Sequence, residues 1–494
     1  MYEERKLHPI ALVKEIVVNF RKNVIPIIVV LFSIFQGLRQ SAMLGMWLLP
    51  ILVALLILLI LAPAVIKYLT YRYKLDEKGL RVKYGLFFRK NIYIPYERIQ
   101  TVQQKQWFFY VPFHVVQILV ETAGTSGKAE ADLSAVPTST AKELKDLRDG
   151  KKAEIEKTSE PDLAKSDPFA VPKKDEDAIR TIELKTKELL LMAVTSGGVF
   201  GGFIILIGVL SQYQEAIPRE WLEEGINQAI RLGIVLFVIA AILLLLILWG
   251  ISILATLFRF FQFKLKQFDD HLVIEKGLFE RNTTTIKFDR IQGVVLIESP
   301  FRQMLKLASI KLITAGSSGD REQSGDILLI PIMKKQAAIE TLHQILPNYH
   351  FERETIQSLP KKNRARFLFI YLVWTVLPFL AATLLFFPYG LIAVILPILG
   401  GLKAVASFRA TGYSFSEQTL LLRSRPAFSK TTYLIRKERI QSMNVKRSIW
   451  MERTKTNHLH VALKSGNSSS TPFLRYLTGS GAKELYDWYR PNHD

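Results

Sequence analysis

Apolar residues are gathered into long blocks along the chain, and each pair of blocks is followed by a run in which apolar and polar positions alternate. Gln40–Ile66, Leu189–Gln214 and Leu232–Phe258 contain no charged residue, and each is long enough for one helix across a bilayer. Asn23–Leu38 is shorter and reads as a short or tilted span between Lys22 and Arg39. Phe367–Leu402 is too long for one span. Pro388-Tyr389-Gly390 near its middle predicts a tight helical hairpin, the alternative being one span plus a re-entrant piece. Six spans in three hairpins follow. Residues 1–20 read as an interfacial helix leading into the first span.

The alternating runs begin at Tyr71, Phe261 and Thr411, and each has a turn at its centre, as a strand hairpin requires. They are copies of one unit. Gly85-Leu86-Phe87 and Arg98-Ile99-Gln100 recur 192 residues later as Gly277-Leu278-Phe279 and Arg290-Ile291-Gln292. The third copy carries Arg439-Ile440-Gln441, with its turn changed to Pro426-Ala427-Phe428. An acid precedes each arginine (Glu97, Asp289, Glu438), and an aromatic follows in register at Phe109, Phe301 and Trp450. Each copy ends in an amphipathic helix, marked by Leu144 and Leu147, by Ala338, Leu342 and Ile345, and by Leu485 and Trp488. About seven short strands capped by one helix is the expected module.

This order of hairpin, β-rich module with a Gly-Leu-Phe turn and an Arg-Ile-Gln block, and closing helix resembles the bacterial pleckstrin-homology-like (bPH2) domain family. The resemblance implies an α+β membrane protein: six transmembrane helices in three hairpins, each followed by a cytoplasmic PH-like β-sandwich or barrel closed by a C-terminal helix. The segments are 1–70 (interfacial helix and first hairpin), 71–148 (first module), 149–180 (charged flexible linker), 181–260 (second hairpin), 261–350 (second module), 351–410 (third hairpin) and 411–494 (third module).

Charge then sets orientation. Lys and Arg total 65 against 44 Asp and Glu, a formal net charge of +21. The cations flank one side of the spans, at Lys14, Arg21, Lys22, Lys67, Arg72, Lys185, Lys187, Arg259, Lys361, Lys362, Lys403 and Arg409. The loop after the third span holds Glu215, Glu220, Glu223 and Glu224 against Arg219. Both termini and all three modules are therefore expected in the cytoplasm of a bacterial cell, on a multi-pass protein of its membrane. Tethering at an anionic bilayer accounts for the basic charge, and nucleic acid is not an expected partner.

No cysteine is present, which excludes disulfides, thiolate metal sites and a cysteine nucleophile. No catalytic motif survives inspection, so neither an enzyme nor a cofactor is expected. His458-Leu459-His460 places two imidazoles on one side of a strand without the further ligands a metal needs. The spans carry no ionisable residue, against proton or ion transport. Gly197, Gly198, Gly201 and Gly202 give two overlapping small-residue repeats suited to close helix packing.

The candidate contacts for lipid or partner are Arg98, Arg290 and Arg439, whose guanidinium forks suit a phosphate or carboxylate, although the simplest reading of each is an exposed ion pair with the preceding acid. Arg89, Lys90, Arg423 and Arg425 cluster near the first turns of modules one and three. The expected function is a non-enzymatic membrane scaffold that binds membrane lipids, a partner protein, or both. The family resemblance implies a smaller membrane protein with one PH-like module as that partner. Class and location, rather than any residue, point to envelope maintenance or resistance to membrane-active antimicrobials. The alternative is an exporter of lipids or amphiphiles with the modules as cytoplasmic gates.

Overall fold

The computed structural model describes residues 4–20, 23, 54, 58, 61–86, 88–122, 130–144, 146–147, 178–196, 234–315, 326–349, 356–385, 387, 389–464 and 472–490. They form two compact units, the first built mainly from residues up to Thr285 and the second from Ile286 onward.

The first unit opens with β1 (Arg5–Lys6), β2 (Arg72–Leu75), β3 (Gly79–Tyr84) and β4 (Lys90–Pro95), one antiparallel sheet in that order. The sequence pattern did not mark β1. Two residues are too few to show alternation, yet Arg5 and Lys6 pair with Tyr73 and Arg72 across the whole first apolar stretch. β5 (Ile99–Trp107), β6 (Val115–Thr122) and β7 (Ala131–Pro137) follow, then a helix over 138–147. Inward positions alternate along β2 and β3, and Tyr73, Leu75, Leu80, Val82, Ile94, Ile118, Leu133 and Leu144 close one core. Six strands and the closing helix come from 71–148, and the seventh strand, β1, is supplied from ahead of the first apolar stretch.

β8 (Arg180–Glu183), β9 (Lys264–Gln267), β10 (His271–Lys276) and β11 (Glu280–Lys287) open the second repeat. They do not form a separate sheet. β11 pairs with β5, giving a seven-stranded sheet in the order β7-β6-β5-β11-β10-β9-β8. Gly277 turns the β10–β11 hairpin with φ 111°, and Gly85 does the same before β4 with φ 106°. A Cβ at Gly277 would lie 2.1 Å from the Glu280 carbonyl oxygen, so only glycine fits.

In the second unit, β12 (Ile291–Glu298), β13 (Leu307–Thr314) and β14 (Asp326–Lys334) are followed by the helix Lys335–Ile345. β15 (Gln357–Ser358), β16 (Gly412–Phe415), β17 (Thr419–Ser424) and β18 (Lys430–Arg436) open the third repeat, and β18 pairs with β12. The order β14-β13-β12-β18-β17-β16-β15 repeats the plan of the first unit. β12 is buried at nearly every position, which explains its unbroken apolar run, Val294–Ile297. β19 (Ile440–Lys446), β20 (Thr456–Leu463) and β21 (Phe473–Thr478) form a three-stranded sheet, closed by the helix Gly479–Tyr489. Leu459, Val461, Leu474, Leu477 and Leu485 fill the core beneath it.

Among the described residues two helices are long and apolar enough to cross a membrane, within Ile234–Arg259 and Lys361–Leu385. The expected third hairpin takes shape as helices Arg364–Leu385 and Ile395–Ala410, with a 3-10 turn at Tyr389–Val394 leading into the second. Leu61–Thr70 is a shorter apolar helix. The first span, most of the second and most of the third lie outside the described residues, as do Gly197, Gly198, Gly201 and Gly202 and the linker 149–177.

Candidate functional site

Each Arg-Ile-Gln block sits at the same structural joint. A short 3-10 turn (Tyr96–Arg98, Phe288–Arg290, Lys437–Arg439) carries the acid and the arginine, and the isoleucine starts the next strand. Ile99, Ile291 and Ile440 are buried in the cores. Arg98, in the turn before Ile99, is exposed, whereas Arg290 and Arg439 at the equivalent positions are half-buried.

In the second unit two of these blocks meet. Asp289, Arg290, Gln292 and Ala315 from one repeat and Glu438, Arg439, Ile440, Gln441 and Lys464 from the next line a cleft of about 270 Å³. The pairing of β12 with β18 draws the joints together. Arg439 Nε stands 3.4 Å from a Glu438 carboxylate oxygen, too poorly aligned for a hydrogen bond, and Arg436 holds the same oxygen at 3.3 Å. The buried Nε atoms of Arg290 and Arg439 have no hydrogen-bond partner among the described residues. Three cations face two carboxylates, so the cleft carries a net positive charge. Two guanidinium donors lacking acceptors suit a carboxylate or phosphate, and each charge-assisted bond contributes about 1.5–3 kcal/mol. Close by, buried Tyr349 donates to the Ile291 carbonyl oxygen at 3.1 Å. Burial pushes its hydroxyl up to about 12, with Arg439 and Arg436 pulling the other way.

The remaining candidates have other places. Arg98 lies exposed at the end of its 3-10 turn in the first unit. Arg89 and Lys90 are exposed at the start of β4. Arg423 donates from Nε to the Ala410 carbonyl oxygen at 2.8 Å, tying β17 to the end of the preceding helix. Arg425 donates to the Phe428 carbonyl oxygen and to Gln303 Oε1 at 2.9 and 2.7 Å. Burial lowers both groups, with Glu298 opposing. His458 Nδ1 accepts from the Tyr476 amide at 3.3 Å, and His460 stacks on Phe473. Among the described residues no cluster of three potential metal ligands occurs.

One landmark escaped sequence reading. His114, Lys306 and Lys455, each 16 residues past its arginine, adopt positive φ of 51°, 54° and 51° just before β6, β13 and β20. None is glycine or asparagine, so composition gave no signal. Trp107–Tyr110 is divided: Tyr110 is buried, Trp107 and Phe109 lean on the core, and Phe108 is exposed and meets Phe279 edge-on at 6.0 Å.

The model of the bacterial PH domain family matches residues 25–152, 226–348 and 367–493, each match joining an apolar stretch to one module. The chain is also 26% identical over 503 residues to the UPF0699 transmembrane protein YdbT of Bacillus subtilis (strain 168), covering 99% of this chain and 98% of that protein.

Proposed function

The chain belongs to the bacterial PH domain family, and from that premise we propose that it is a non-enzymatic scaffold of the bacterial cell membrane, with its modules on the cytoplasmic side. Six spans in three hairpins anchor it, with the Lys and Arg flanks inward. The modules bind a membrane partner, a smaller protein with one module of the same family, together with the anionic lipid surface. Envelope maintenance and resistance to membrane-active antimicrobials are the roles this placement suits.

The observation that carries the reading is the joining of repeats by strand pairing. β5 with β11 and β12 with β18 turn tethered modules into continuous sheets, a form suited to displaying surfaces. The cleft of Arg290 and Arg439 is such a surface, with donors for an acidic group. Its full-length likeness to a transmembrane protein supports the membrane setting.

The test is purification of the tagged protein in mild detergent, with mass spectrometry of co-purifying proteins and lipids, beside Arg290→Ala, Arg439→Ala and Arg98→Ala variants. A stoichiometric membrane protein with one PH-like module, lost in one variant, is the expected result. A chain that emerges alone with an amphiphile held between its spans would overturn the scaffold in favour of transport.

A further inference from the structure

The two junctions between repeats share one register. Counting from each repeat's arginine, Gln103 lies five residues past Arg98 and pairs with Thr284, six before Arg290. Val295 lies five past Arg290 and pairs with Tyr433, six before Arg439. Trp107 with Glu280 and Glu298 with Lys430 obey the same offset. The same operation therefore adds each repeat to the one before it, and nothing in such a head-to-tail ladder ends it by itself.

The ladder has a free end at β19. Its counterparts β5 and β12 each carry the next repeat's hairpin on their outer edge, whereas β19 among the described residues pairs only with β20. Asn444, Val445 and Lys446 are all exposed, where β12 is buried almost throughout. Such an edge is a template for another strand.

Charge selects the occupant. Each internal junction is crossed by an ion pair: Lys105 to Glu280 at 3.2 Å in the first, Glu298 to Lys430 at 3.6 Å in the second. β19 ends in Lys446, followed by Arg447. A second copy, docked in the shared register, would set Lys90 opposite Lys446 and Arg89 opposite Arg447. Like charges directly opposed destabilise a strand pair.

We propose that the open edge of β19 docks the hairpin of a PH-like module on another polypeptide, whose incoming strand begins with carboxylates as β11 begins with Glu280, and that Arg89 and Lys90 bar a second copy of this chain. This rests on the scaffold reading above and specifies where and how its partner attaches.

Two experiments test it, both on the full chain. In the shared register Asn444 would face Ile92 of a second copy, and the absence of native cysteine makes the pair Asn444→Cys with Ile92→Cys a clean reporter. With Lys446 and Arg447 unchanged, oxidation in membranes should give little intermolecular disulfide. Adding Lys446→Glu and Arg447→Glu should raise it at least tenfold, as a ladder of multimers. Further adding Arg89→Glu and Lys90→Glu should abolish the ladder again. No ladder after the first reversal, or equal ladders throughout, overturns the docking edge and leaves the scaffold reading untouched. The second experiment places the photo-crosslinker benzoylphenylalanine at Val445 in native membranes. The expected adduct maps to the hairpin strand of a PH-like module bearing acids opposite Lys446 and Arg447. An adduct to a second copy, to lipid alone, or none at all overturns the occupant; a charge-switched ladder with no such adduct sinks the partner reading while the edge geometry stands.

Discussion

Replacing Glu15 by Gln should weaken the first unit by about 3 kcal/mol near neutral pH. Glu15 lies buried in the helix over 11–20, where its Oε1 accepts from Lys14 Nζ at 3.3 Å, Lys67 Nζ at 2.8 Å and Ser134 Oγ at 2.7 Å. Burial alone would raise its carboxyl. The two ammonium groups and the hydrogen bonds outweigh burial and hold it at about 2, against an ordinary 4.5. At about 1.4 kcal/mol per pKa unit, that difference favours the fold by about 3 kcal/mol. Because the folded value is the lower one, the unfolded chain takes up the proton first as pH falls. The contribution is complete above about pH 4.5 and is lost as pH falls toward about 2. Gln keeps the shape and one acceptor but removes the charge, leaving Lys14 to Asp132 at 3.1 Å and Ser134 at 3.0 Å. Hydrogen exchange read by mass spectrometry over residues 11–20 and β7 reports the local opening. About 3 kcal/mol is roughly a hundredfold in exchange rate at neutral pH. The ratio of variant to wild type should shrink at pH 3. Equal exchange at neutral pH, or a ratio that grows on acidification, would refute the reasoning.

Four further outcomes are expected. Gly277→Ala should cost about 2 kcal/mol or more and loosen β10 and β11 in hydrogen exchange, since its φ of 111° and the Glu280 carbonyl oxygen leave no room for a methyl. Lys455→Gly should leave β20 as protected or better, by up to about 1 kcal/mol, because a left-handed residue is relieved; clear loosening would count against strain there. Glu298→Gln should cost about 1 kcal/mol at the β12–β18 junction by releasing Lys335 at 3.1 Å and Lys430 at 3.6 Å, both partly exposed and open to hydration, seen as faster exchange in those strands. His458 is held down to about 4 by burial, with Arg475 and His460 adding to it. As pH falls the unfolded state protonates first, so β20 and β21 should loosen between about pH 6.5 and 4, a step that His458→Gln should flatten in the same exchange experiment.

Much of the module was legible because it is periodic. Alternation gave the hairpins, three- and four-residue spacing gave the closing helices, and the fixed offset of Arg98 from Arg290 exposed the repeat. The order of strands was not legible. Gln103-Gln104-Lys105-Gln106 shows no apolar preference, yet it forms a junction, because a ladder of backbone hydrogen bonds asks little of its side chains. The strands β1, β8 and β15 are two to four residues long and lie before the hairpins, so pairing across an apolar stretch left no pattern to read. Arg290 and Arg439 were singled out one at a time. The two arginines are 149 positions apart in sequence, and their meeting in one cleft depends on the pairing of β12 with β18. The third turn shows the opposite case: Pro426 cannot take the positive φ that Gly85 and Gly277 adopt, so the change in sequence announced a rebuilt turn.

That repeats are joined through ladders of one register is open to direct measurement in native membranes. The chain has no cysteine, so paired substitutions report only themselves. Gln104→Cys with Thr283→Cys, and Ile297→Cys with Thr431→Cys, occupy directly opposed positions at the two junctions. Both pairs should form intramolecular disulfides on mild oxidation, identified by peptide mass spectrometry, while Gln104→Cys with Lys287→Cys, displaced by four residues, should not. Cross-linking of the displaced pair in place of the opposed ones would contradict the account.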